Sequence, residues 1–412
     1  MNTQVKTKKI GIFVDSEKTS GGAYQELLTF IKNFEKFNEK YNLNFTIVCT
    51  SKDLGFDNKL TKFKVIYFSL GFINRYIHYL FNFHHFFRRI RKFLLFKNKF
   101  ESFLDKNDID YLVFTGPSQY PLYIEKTNFC MIVPDVNHRE NNEFPELSFT
   151  PEYSRKDEIF TKSLPRSTMI IANSQDIKKR ISFFYKILEE RIIVINQQPS
   201  ESIKNFNYKQ KEIESVKYKE KKNLPENYVY YPAMYLPHKN HKYIIDGIKK
   251  LNLLKEIDIS AVFCGSDKGY LKNLKEYAKK NNIDKKIIFL NFVNDDELPF
   301  LYINSKALVM PTLMGPTNIP PWEAFKLNVP VFYTDFKNIK SVLKDAVYYI
   351  DPLNPDTMVE GIKKILTDEN FKKELIAKGS SLIDSINEEK EYEQFFENVI
   401  KNRKIRERWI FN

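Results

Sequence analysis

Short apolar runs recur along the chain, and they constrain its fold more than any other feature. Many are near-continuous in β-branched and aromatic residues, which is typical of parallel strands covered on both faces. Amphipathic segments separate many of them, and in residues 22–40 Leu27, Leu28, Ile31 and Phe34 fall on one helical face. The predicted strands are KIGIFV from Lys9, FTIVC from Phe45, KVIYF from Lys64, YLVFTG from Tyr111, FCMIV from Phe129, TMIIANS from Thr168, RIIVI from Arg191, YVYYPA from Tyr228, SAVFCG from Ser260, IIFLNF from Ile287, ALVMPT from Ala307, PVFYTD from Pro330 and AVYYI from Ala346.

This alternation indicates an α/β protein with doubly wound parallel sheets. A length of 412 residues favours two domains. Residues 206–226 are charged and lack a strand, so we expect the linker there. The expected architecture is a Rossmann-like domain in 1–205, a second in 227–390 facing it across a ligand-binding cleft, and a C-terminal helix in 391–412 that packs back on the first domain.

Composition bounds the class of protein. The 42% hydrophobic and 28% charged content is that of a soluble globular protein. Cys49, Cys130 and Cys264 each lie in an apolar run, so we expect buried reduced thiols. Cys and His show no metal-ligand spacing, which predicts no metal site. The N terminus is typical of a first strand rather than a signal sequence, and we expect a cytoplasmic protein.

The net charge of +13 is unevenly placed. Residues 71–100 contain seven Lys or Arg, no acidic residue and ten aromatic residues. One interpretation is a buried helix pair with a solvated basic rim. Another is a peripheral contact with the anionic inner face of the plasma membrane or with a lipid-phosphate acceptor. Nucleic-acid binding is disfavoured, because no nucleic-acid motif accompanies the charge.

Three stretches carry candidate ligand contacts. Gly21 and Gly22 stand between the first strand and the first helix, where small residues allow backbone amides to approach an anion, although a plain turn also uses glycine. Lys239 follows the strand at Tyr228 and is well placed to neutralise an anion, although an isolated lysine is more often a surface charge.

The third stretch is GPTNIPPWEAF, residues 315–325. A proline near the first helical position indicates that a helix begins around Pro320 and Pro321. Amides near Thr317 and Asn318 then form an anion site at the positive end of the helix dipole. Glu323 would fall in the first turn, where it either accepts hydrogen bonds from ligand hydroxyls or is only a favourable dipole partner.

Together these stretches resemble the retaining GT-B glycosyltransferases of family 4. The resemblance rests on ELPFLYINSKALVMPT followed by GPTNIPPWEAF and NVPVFYTD, with PHKNH, FCGSD, IIANSQDIKKRI and SGGAYQ in order along the chain. It implies a GT-B fold and transfer of a sugar, with retention, from a nucleoside-diphosphate sugar to a glycan or lipid-linked acceptor. It implies no metal and no cofactor, and it places the enzyme in bacterial surface polysaccharide synthesis.

The resemblance also assigns residues. Glu323 would contact the ribose, Lys239 would pair with the diphosphate, and amides around Asn318 and Ile319 would hold phosphate and sugar. Gly22 would approach the same phosphate from the first domain. The implied donor-binding set is Gly21, Gly22, Gly265, Thr317, Asn318, Ile319 and Glu323.

The chain departs from the family at three places. Gly315 stands where members carry a second glutamate, and Ala233 and Met234 stand where an arginine is common. Pro134 replaces a histidine that usually precedes Asp135, and His138 follows three residues later. With Lys239, Asp135 and His138 are the predicted catalytic residues, although His138 has the alternative of a loop histidine bonded to backbone.

Other functions remain compatible with these departures. One is a catalytically silent GT-B scaffold protein that binds a partner or the membrane, suggested by Gly315 and the missing arginine. A weaker alternative is a GT-B sugar-nucleotide epimerase, which would convert the donor without an acceptor. The base, the sugar, the acceptor and the linkage do not follow from the sequence.

Overall fold

The computed structural model describes residues 9–15, 22–41, 43–52, 61–84, 86–87, 98–144, 147, 151–254, 257–291, 293–315 and 318–408. The chain forms two compact units. The first comprises Met1–Asn196 and Glu388–Asn412, and the second comprises Gln197–Asn387.

Each predicted strand is present, so the α/β prediction is confirmed. The strands are β1 (Lys9–Val14), β2 (Phe45–Cys49), β3 (Lys64–Tyr67), β4 (Ile109–Phe114), β5 (Asn128–Val133), β6 (Met169–Ala172), β7 (Ile192–Val194), β8 (Tyr228–Pro232), β9 (Ser260–Cys264), β10 (Ile287–Leu290), β11 (Ala307–Met310), β12 (Val331–Thr334) and β13 (Tyr348–Ile350).

Helices separate most of the strands, as the amphipathic segments predict. They are α1 (Gly22–Tyr41), α2 (Phe72–Phe83), α3 (Lys99–Lys106), α4 (Pro151–Ser163), α5 (Gln175–Tyr185), α6 (Glu201–Lys204), α7 (Tyr208–Lys221), α8 (His241–Leu253), α9 (Leu271–Lys280), α10 (Leu298–Ile303), α11 (Ile319–Lys326), α12 (Lys337–Leu343), α13 (Asp356–Thr367), α14 (Glu369–Asp384) and α15 (Glu388–Glu407).

Each unit is built on one parallel sheet. The first sheet has seven strands in the order β3-β2-β1-β4-β5-β6-β7, and the second has six in the order β10-β9-β8-β11-β12-β13. Several central strands, such as β2 and β9, are buried at every position. Burial on both faces explains why these segments are continuous apolar runs.

The C-terminal helix α15 packs within the first unit against α1. The ring of Phe34 lies 5.3 Å from that of Phe395 and 5.0 Å from that of Phe396. Phe37 stacks on Tyr392 at 5.6 Å. Buried aromatic pairs of this kind stabilise packing beyond their area alone, so these contacts attach α15 to the first unit.

The structure places helix α7 where the sequence predicts a linker. The crossing between units falls after Asn196, before the predicted boundary at residue 205. Within α7, Tyr218 stacks on Phe300 at 5.3 Å, and Ser215 accepts a hydrogen bond from Asn304 over 2.8 Å. A narrow buried seam in an otherwise Lys- and Glu-rich helix therefore attaches this segment to the second unit.

The three cysteines are free and buried, as predicted. Burial raises the pKa of the Cys49 and Cys130 thiols to about 12, which keeps them protonated. Among the helices in the described ranges, none combines the length and the apolar character needed to cross a bilayer.

Candidate functional site

The candidate site lies at the carboxyl edge of the second sheet, between β8 and β11. These strands are neighbours, but the chain goes from β8 to β9 on one side and from β11 to β12 on the other. Such a reversal of strand order leaves a crevice at the carboxyl ends of the strands, and α/β sheets bind ligands there. The loops after the two strands, residues 233–240 and 311–318, carry the predicted contacts Lys239, Thr317 and Asn318.

Hydrogen bonds join the two loops. The Leu313 amide donates to the His238 carbonyl oxygen over 2.8 Å. The Asn240 side-chain amide donates to the carbonyl oxygens of Pro311, at 3.1 Å, and Pro352, at 2.9 Å. Asn240 has a φ of 56°, in the left-handed region that asparagine tolerates better than most residues. These bonds fix the position of the two loops relative to each other.

Lys239 ends a 3₁₀ turn, Pro237–Lys239, in the loop after β8. Its carbonyl oxygen accepts a hydrogen bond from the Tyr231 hydroxyl over 3.0 Å, which fixes the backbone beneath a half-buried side chain. The structure thus places Lys239 in the loop after β8, at the strand reversal. Its pairing with a diphosphate stays a prediction.

The neighbouring His241 is a core residue. Its ring is fully buried against Tyr231, Tyr235 and Phe263, with centroids 4.9 to 5.3 Å apart. Burial, followed by the charge of Lys239, lowers the pKa of His241 to about 3. The imidazole therefore stays neutral and supports the loop by packing.

Helix α11 begins at Ile319, with Asn318 as its N-cap residue. The Asn318 side chain does not cap the helix, and donates instead to the Tyr333 hydroxyl over 2.5 Å. Pro320 and Pro321 have no amide hydrogen, so the amides of Asn318 and Ile319 are the donors left at the helix start. A helix start of this kind favours anions. Thr317 lies outside the described residues.

Glu323 is the fifth residue of α11, so the prediction that it falls in the first turn is wrong by one position. The helix starts at Ile319, before the two prolines, because proline is accommodated in the first turn without breaking the helix. The carboxylate is consequently directed towards the neighbouring helices α10 and α6.

The Glu323 side chain is 6% exposed. The Tyr302 hydroxyl donates to its Oε2 over 2.6 Å, and the Ser200 backbone amide also donates to the carboxylate. Burial raises the pKa of Glu323 to about 7, and the negative charge of Asp295 also raises it. The two hydrogen bonds lower this pKa but do not outweigh burial. A carboxyl group that titrates near neutrality marks a functional candidate, although a structural link between helices has the same signature.

Gly265 follows β9 and touches the loop after β8. A Cβ atom at this position would lie 2.2 Å from the carbonyl oxygen of Ala233 and 2.9 Å from the Met234 nitrogen. No side chain fits at such distances, so the glycine is explained by the close approach of two backbones. Its predicted contact with the donor stays a prediction.

In the first unit, Asp135 follows β5 and is 27% exposed. It accepts hydrogen bonds from Lys156 Nζ over 2.7 Å and from the Asn137 amide over 3.0 Å. Burial opposes its ionisation, but the charge and hydrogen bond of Lys156 outweigh it and lower the pKa of Asp135. Asp135 is therefore an ionised carboxylate at the carboxyl edge of the first sheet.

His138 has a different environment. It is 1% exposed, and its Nε2 lies 2.9 Å from the Tyr185 hydroxyl, a side-chain partner rather than the backbone partner of the alternative interpretation. Burial, with the charge of Lys156, lowers the pKa of His138 to about 4. These features are those of a neutral packing histidine, and its catalytic role stays a prediction.

The sequence interpretation missed several residues of these edges. Tyr302 and Ser200 contact Glu323, yet neither was among the predicted site residues. In the first unit, Asp15 at the end of β1 accepts hydrogen bonds from Thr50 over 2.9 Å and from Ser118 over 2.8 Å. The order β2-β1-β4 makes this the strand reversal of the first sheet. Knowledge of the strand order would have pointed to Asp15, because it shows at which strand the order reverses.

The glycine pair is only partly described. Gly22 is the first residue of α1, as the sequence predicts, and Gly21 lies outside the described residues. Among the described residues, no group of three or more His, Cys, Asp or Glu side chains is arranged to hold a metal ion. Independence from metal stays a prediction.

Comparison with known proteins identifies a domain in the second unit. Residues 212–381 match the protein family described as Glycosyl transferases group 1. The matched segment lies within Gln197–Asn387 and includes both loops of the candidate site. The similarity to this family therefore lies in the second unit.

Two similar curated proteins are mannosyltransferases. The O-antigen chain mannosyltransferase RfbU of Salmonella typhimurium is 28% identical over 207 residues, which cover 50% of this chain and 53% of RfbU. The serotype-specific mannosyltransferase WbdA of Escherichia coli is 26% identical over 216 residues, 52% of this chain and 26% of WbdA. The match thus spans about half the length of the first relative and about a quarter of the second.

Similarity to solved structures extends over nearly the whole chain. The crystal structure of Anabaena Alr3699/HepE in complex with UDP and glucose matches with a TM-score of 0.71 at 14% identity, covering 95% of this chain and 99% of that protein. At this identity the likeness shows the fold alone. The structural neighbours are GT-B glycosyltransferases, which confirms the predicted fold class.

Proposed function

We propose that this chain, whose residues 212–381 match the Glycosyl transferases group 1 family, is a retaining glycosyltransferase of family 4. It transfers a sugar from a nucleoside-diphosphate sugar to a glycan or lipid-linked acceptor, without a metal or other cofactor, in bacterial surface polysaccharide synthesis. The O-antigen mannosyltransferase among its relatives and the UDP-bound structural neighbour support this class.

One observation carries the proposal: the bonded loops at the strand reversal place Lys239 and the start of α11 on the same edge of one sheet. A pyrophosphate needs a cation and directed amide donors, and Lys239 with the amides of Asn318 and Ile319 supplies both. Glu323, one turn further along α11, would accept hydrogen bonds from the ribose hydroxyls.

In the proposed reaction, the bond between the sugar anomeric carbon and the β-phosphate oxygen breaks. A bond from the acceptor oxygen forms on the same face of that carbon, and the acceptor proton passes to the departing phosphate. Lys239 and the helix-start amides stabilise the charge that develops on the leaving diphosphate, a preorganised electrostatic role. Gly22 would approach that phosphate with its backbone.

On the acceptor side we propose Asp135 as the ligand contact, because its carboxylate is ionised and partly exposed. His138 would support the same loop through Tyr185 rather than touch substrate. Lys156 would hold the Asp135 carboxylate in place. This division of roles follows from the difference in burial between the two side chains.

The proposed function includes a peripheral membrane contact through α2. His78 and Phe81 are buried, and the Asn82 side chain donates to the Leu122 carbonyl oxygen over 2.8 Å, so one face of the helix is anchored. Phe72, Ile73 and Tyr76, 59% to 85% exposed, form an apolar cluster on the outer face. Exposed apolar side chains in a stretch of sequence rich in Lys and Arg favour an anionic lipid surface. Arg88, Arg89, Arg91 and Lys92 of the basic stretch lie outside the described residues.

A thermal-shift screen against UDP-, GDP- and dTDP-sugars tests the proposed function. A donor that binds only the folded protein raises the melting temperature by mass action. We expect a shift with one class of donor, its loss in Glu323→Ala, and its retention in the exposed control Glu360→Ala. No shift with any donor contradicts the proposal, and together with intact membrane binding it supports the scaffold alternative. Product analysis that shows conversion of the sugar nucleotide without an acceptor supports the epimerase.

A further inference from the structure

The Glu323 carboxylate lies against tyrosines, and in the part of the chain that the structure describes no cation is among the groups that act on it. The ionisable groups facing it are Tyr302 from α10, Tyr230 from β8 and Asp295 from the segment before α10, with Cys264 adjoining Tyr230. The remaining neighbour is the backbone amide of Ser200. Within the described residues, the hydrogen bonds from Tyr302 and Ser200 are the interactions that favour the ionised form of this carboxyl group.

Tyr302 is held in place for this hydrogen bond. Its side chain is fully buried, and its ring meets that of Tyr230 edge to face, with centroids 4.9 Å apart at 84°. A rigid phenol 2.6 Å from a carboxylate oxygen is a strong, charge-assisted donor. Burial raises the pKa of the Tyr302 hydroxyl well above its usual value, so it remains a donor at every physiological pH.

We propose that Tyr302 is a positioning residue for the transfer reaction, holding Glu323 ionised and oriented so that the carboxylate accepts hydrogen bonds from the ribose of the donor. This inference rests on the proposed function, because it assigns Glu323 to the ribose. A protonated carboxyl group would lose one acceptor site and its charge, and charge-assisted hydrogen bonds are roughly twice as strong as neutral ones.

The matched pair of variants is Tyr302→Phe and Tyr228→Phe. Both remove one buried hydroxyl at the contact with α10 and keep the ring. The Tyr228 hydroxyl donates to the Leu301 carbonyl oxygen over 2.8 Å and not to a carboxylate. Loss of stability alone would appear in both variants, whereas only Tyr302→Phe should change the ionisation of Glu323.

The first readout does not depend on any ligand. Titration of protein labelled with ¹³C at the glutamate carboxyl carbons, with the Glu323 signal assigned by its loss in Glu323→Gln, gives the ionisation midpoint directly. We expect about 7 in the wild type, no change in Tyr228→Phe, and a rise of about one unit in Tyr302→Phe. An unchanged midpoint in Tyr302→Phe overturns the proposal.

The second readout is the affinity for UDP or GDP, whichever binds the wild type, measured from pH 6 to pH 9.5. If only the ionised form binds, a one-unit rise weakens binding about fivefold at pH 7, and the deficit disappears at pH 9.5. A deficit that is constant with pH, or absent, overturns the positioning role. If no nucleotide binds the wild type while the ionisation midpoint of Glu323 still rises in Tyr302→Phe, the proposed function fails although Tyr302 does hold Glu323 ionised. Failure of the proposed function is therefore distinguishable from failure of the role assigned to Tyr302.

Discussion

The backbone amide of Leu313 donates a hydrogen bond to the carbonyl oxygen of His238 over 2.8 Å. The two residues belong to the loops after β11 and β8, which lie side by side at the strand reversal. This bond sets the position of Lys239, the next residue after His238, relative to the start of α11. A cation and directed amides fixed before a ligand arrives require little reorganisation, which is the condition for strong charge stabilisation.

Replacement of Lys239 tests the cation at this site. In Lys239→Ala we expect the affinity for the donor to fall about tenfold to a hundredfold, the effect of losing one charge-assisted contact to phosphate. Lys239→Arg should recover part of the loss, because the charge is kept. Isothermal titration calorimetry measures the change, with Lys363→Ala on the exposed face of α13 as the control. Equal affinities of Lys239→Ala and wild type would remove Lys239 from the site.

Gly265 offers a test of the loop packing. In Gly265→Ala, the added Cβ would lie 2.2 Å from the Ala233 carbonyl oxygen, so backbone has to move. We expect a loss of about 1–3 kcal/mol in the free energy of unfolding and weaker donor binding. Gly116→Ala is the matched control, because nothing lies within 4 Å of its added Cβ. Chemical denaturation compares both variants, and equal stability would show that the loop accommodates a side chain.

Local patterns were enough to predict the architecture. Runs such as Phe45–Cys49 are buried at every position, and their continuous apolar sequence is typical of a strand covered on both faces. The start of α11 followed from Pro320 and Pro321 to within one residue, because the constraint that proline imposes is local. By contrast, the sequence of α7 looked like a linker, because Lys and Glu dominate it and the buried Tyr218 is one of its few apolar residues.

Contacts between distant residues were not predictable. Glu323 and Tyr302 are separated by 21 positions and by a strand, and only the folded second unit brings the carboxylate and the phenol together. The burial of His138 depends on Tyr185, 47 positions away. One sequence shows that such residues are present, but it does not show which side chains meet. The candidate site was therefore predictable in its loops and not in its hydrogen bonds.

A second carboxylate gives a test of stability against pH. Glu101 accepts hydrogen bonds from the amides of Glu125, Lys126 and Thr127 and from the Thr127 hydroxyl, at 2.7 to 3.1 Å. Burial opposes its ionisation, but these bonds outweigh burial and lower the pKa of Glu101. The resulting stabilisation is present above the ordinary glutamate value near 4.5 and is lost as the pH falls through the lowered value.

We therefore expect Glu101→Gln to reduce the free energy of unfolding by about 2 kcal/mol at pH 7. The NH₂ group of the new side chain is a hydrogen-bond donor, and it would face backbone amides that are donors too. The difference from wild type should shrink as the pH falls below 4.5. Urea denaturation at several pH values measures it, with the exposed Glu360→Gln as the control. A difference that is the same at pH 7 and at low pH would contradict the role assigned to the ionised group.

The apolar face of α2 predicts binding to anionic vesicles. In the double variant Phe72→Ser and Ile73→Ser we expect cosedimentation with phosphatidylglycerol vesicles to fall at least fivefold, because each buried apolar side chain contributes roughly 1.5–3 kcal/mol. Phe183→Ser with Leu188→Ser, an exposed apolar pair elsewhere on the first unit, should have no effect. Equal binding of the wild type to neutral and anionic vesicles would contradict a contact with anionic lipid. Equal binding of the two double variants would contradict the role of Phe72 and Ile73.

The most direct measurement is a crystal structure of the protein with the nucleoside-diphosphate sugar that gives the largest thermal shift. The account predicts the pyrophosphate within about 3 Å of Lys239 Nζ and of the amides of Asn318 and Ile319, with the ribose hydroxyls on the Glu323 carboxylate. A nucleotide bound with its pyrophosphate away from the start of α11, or with its ribose on another group, would contradict it.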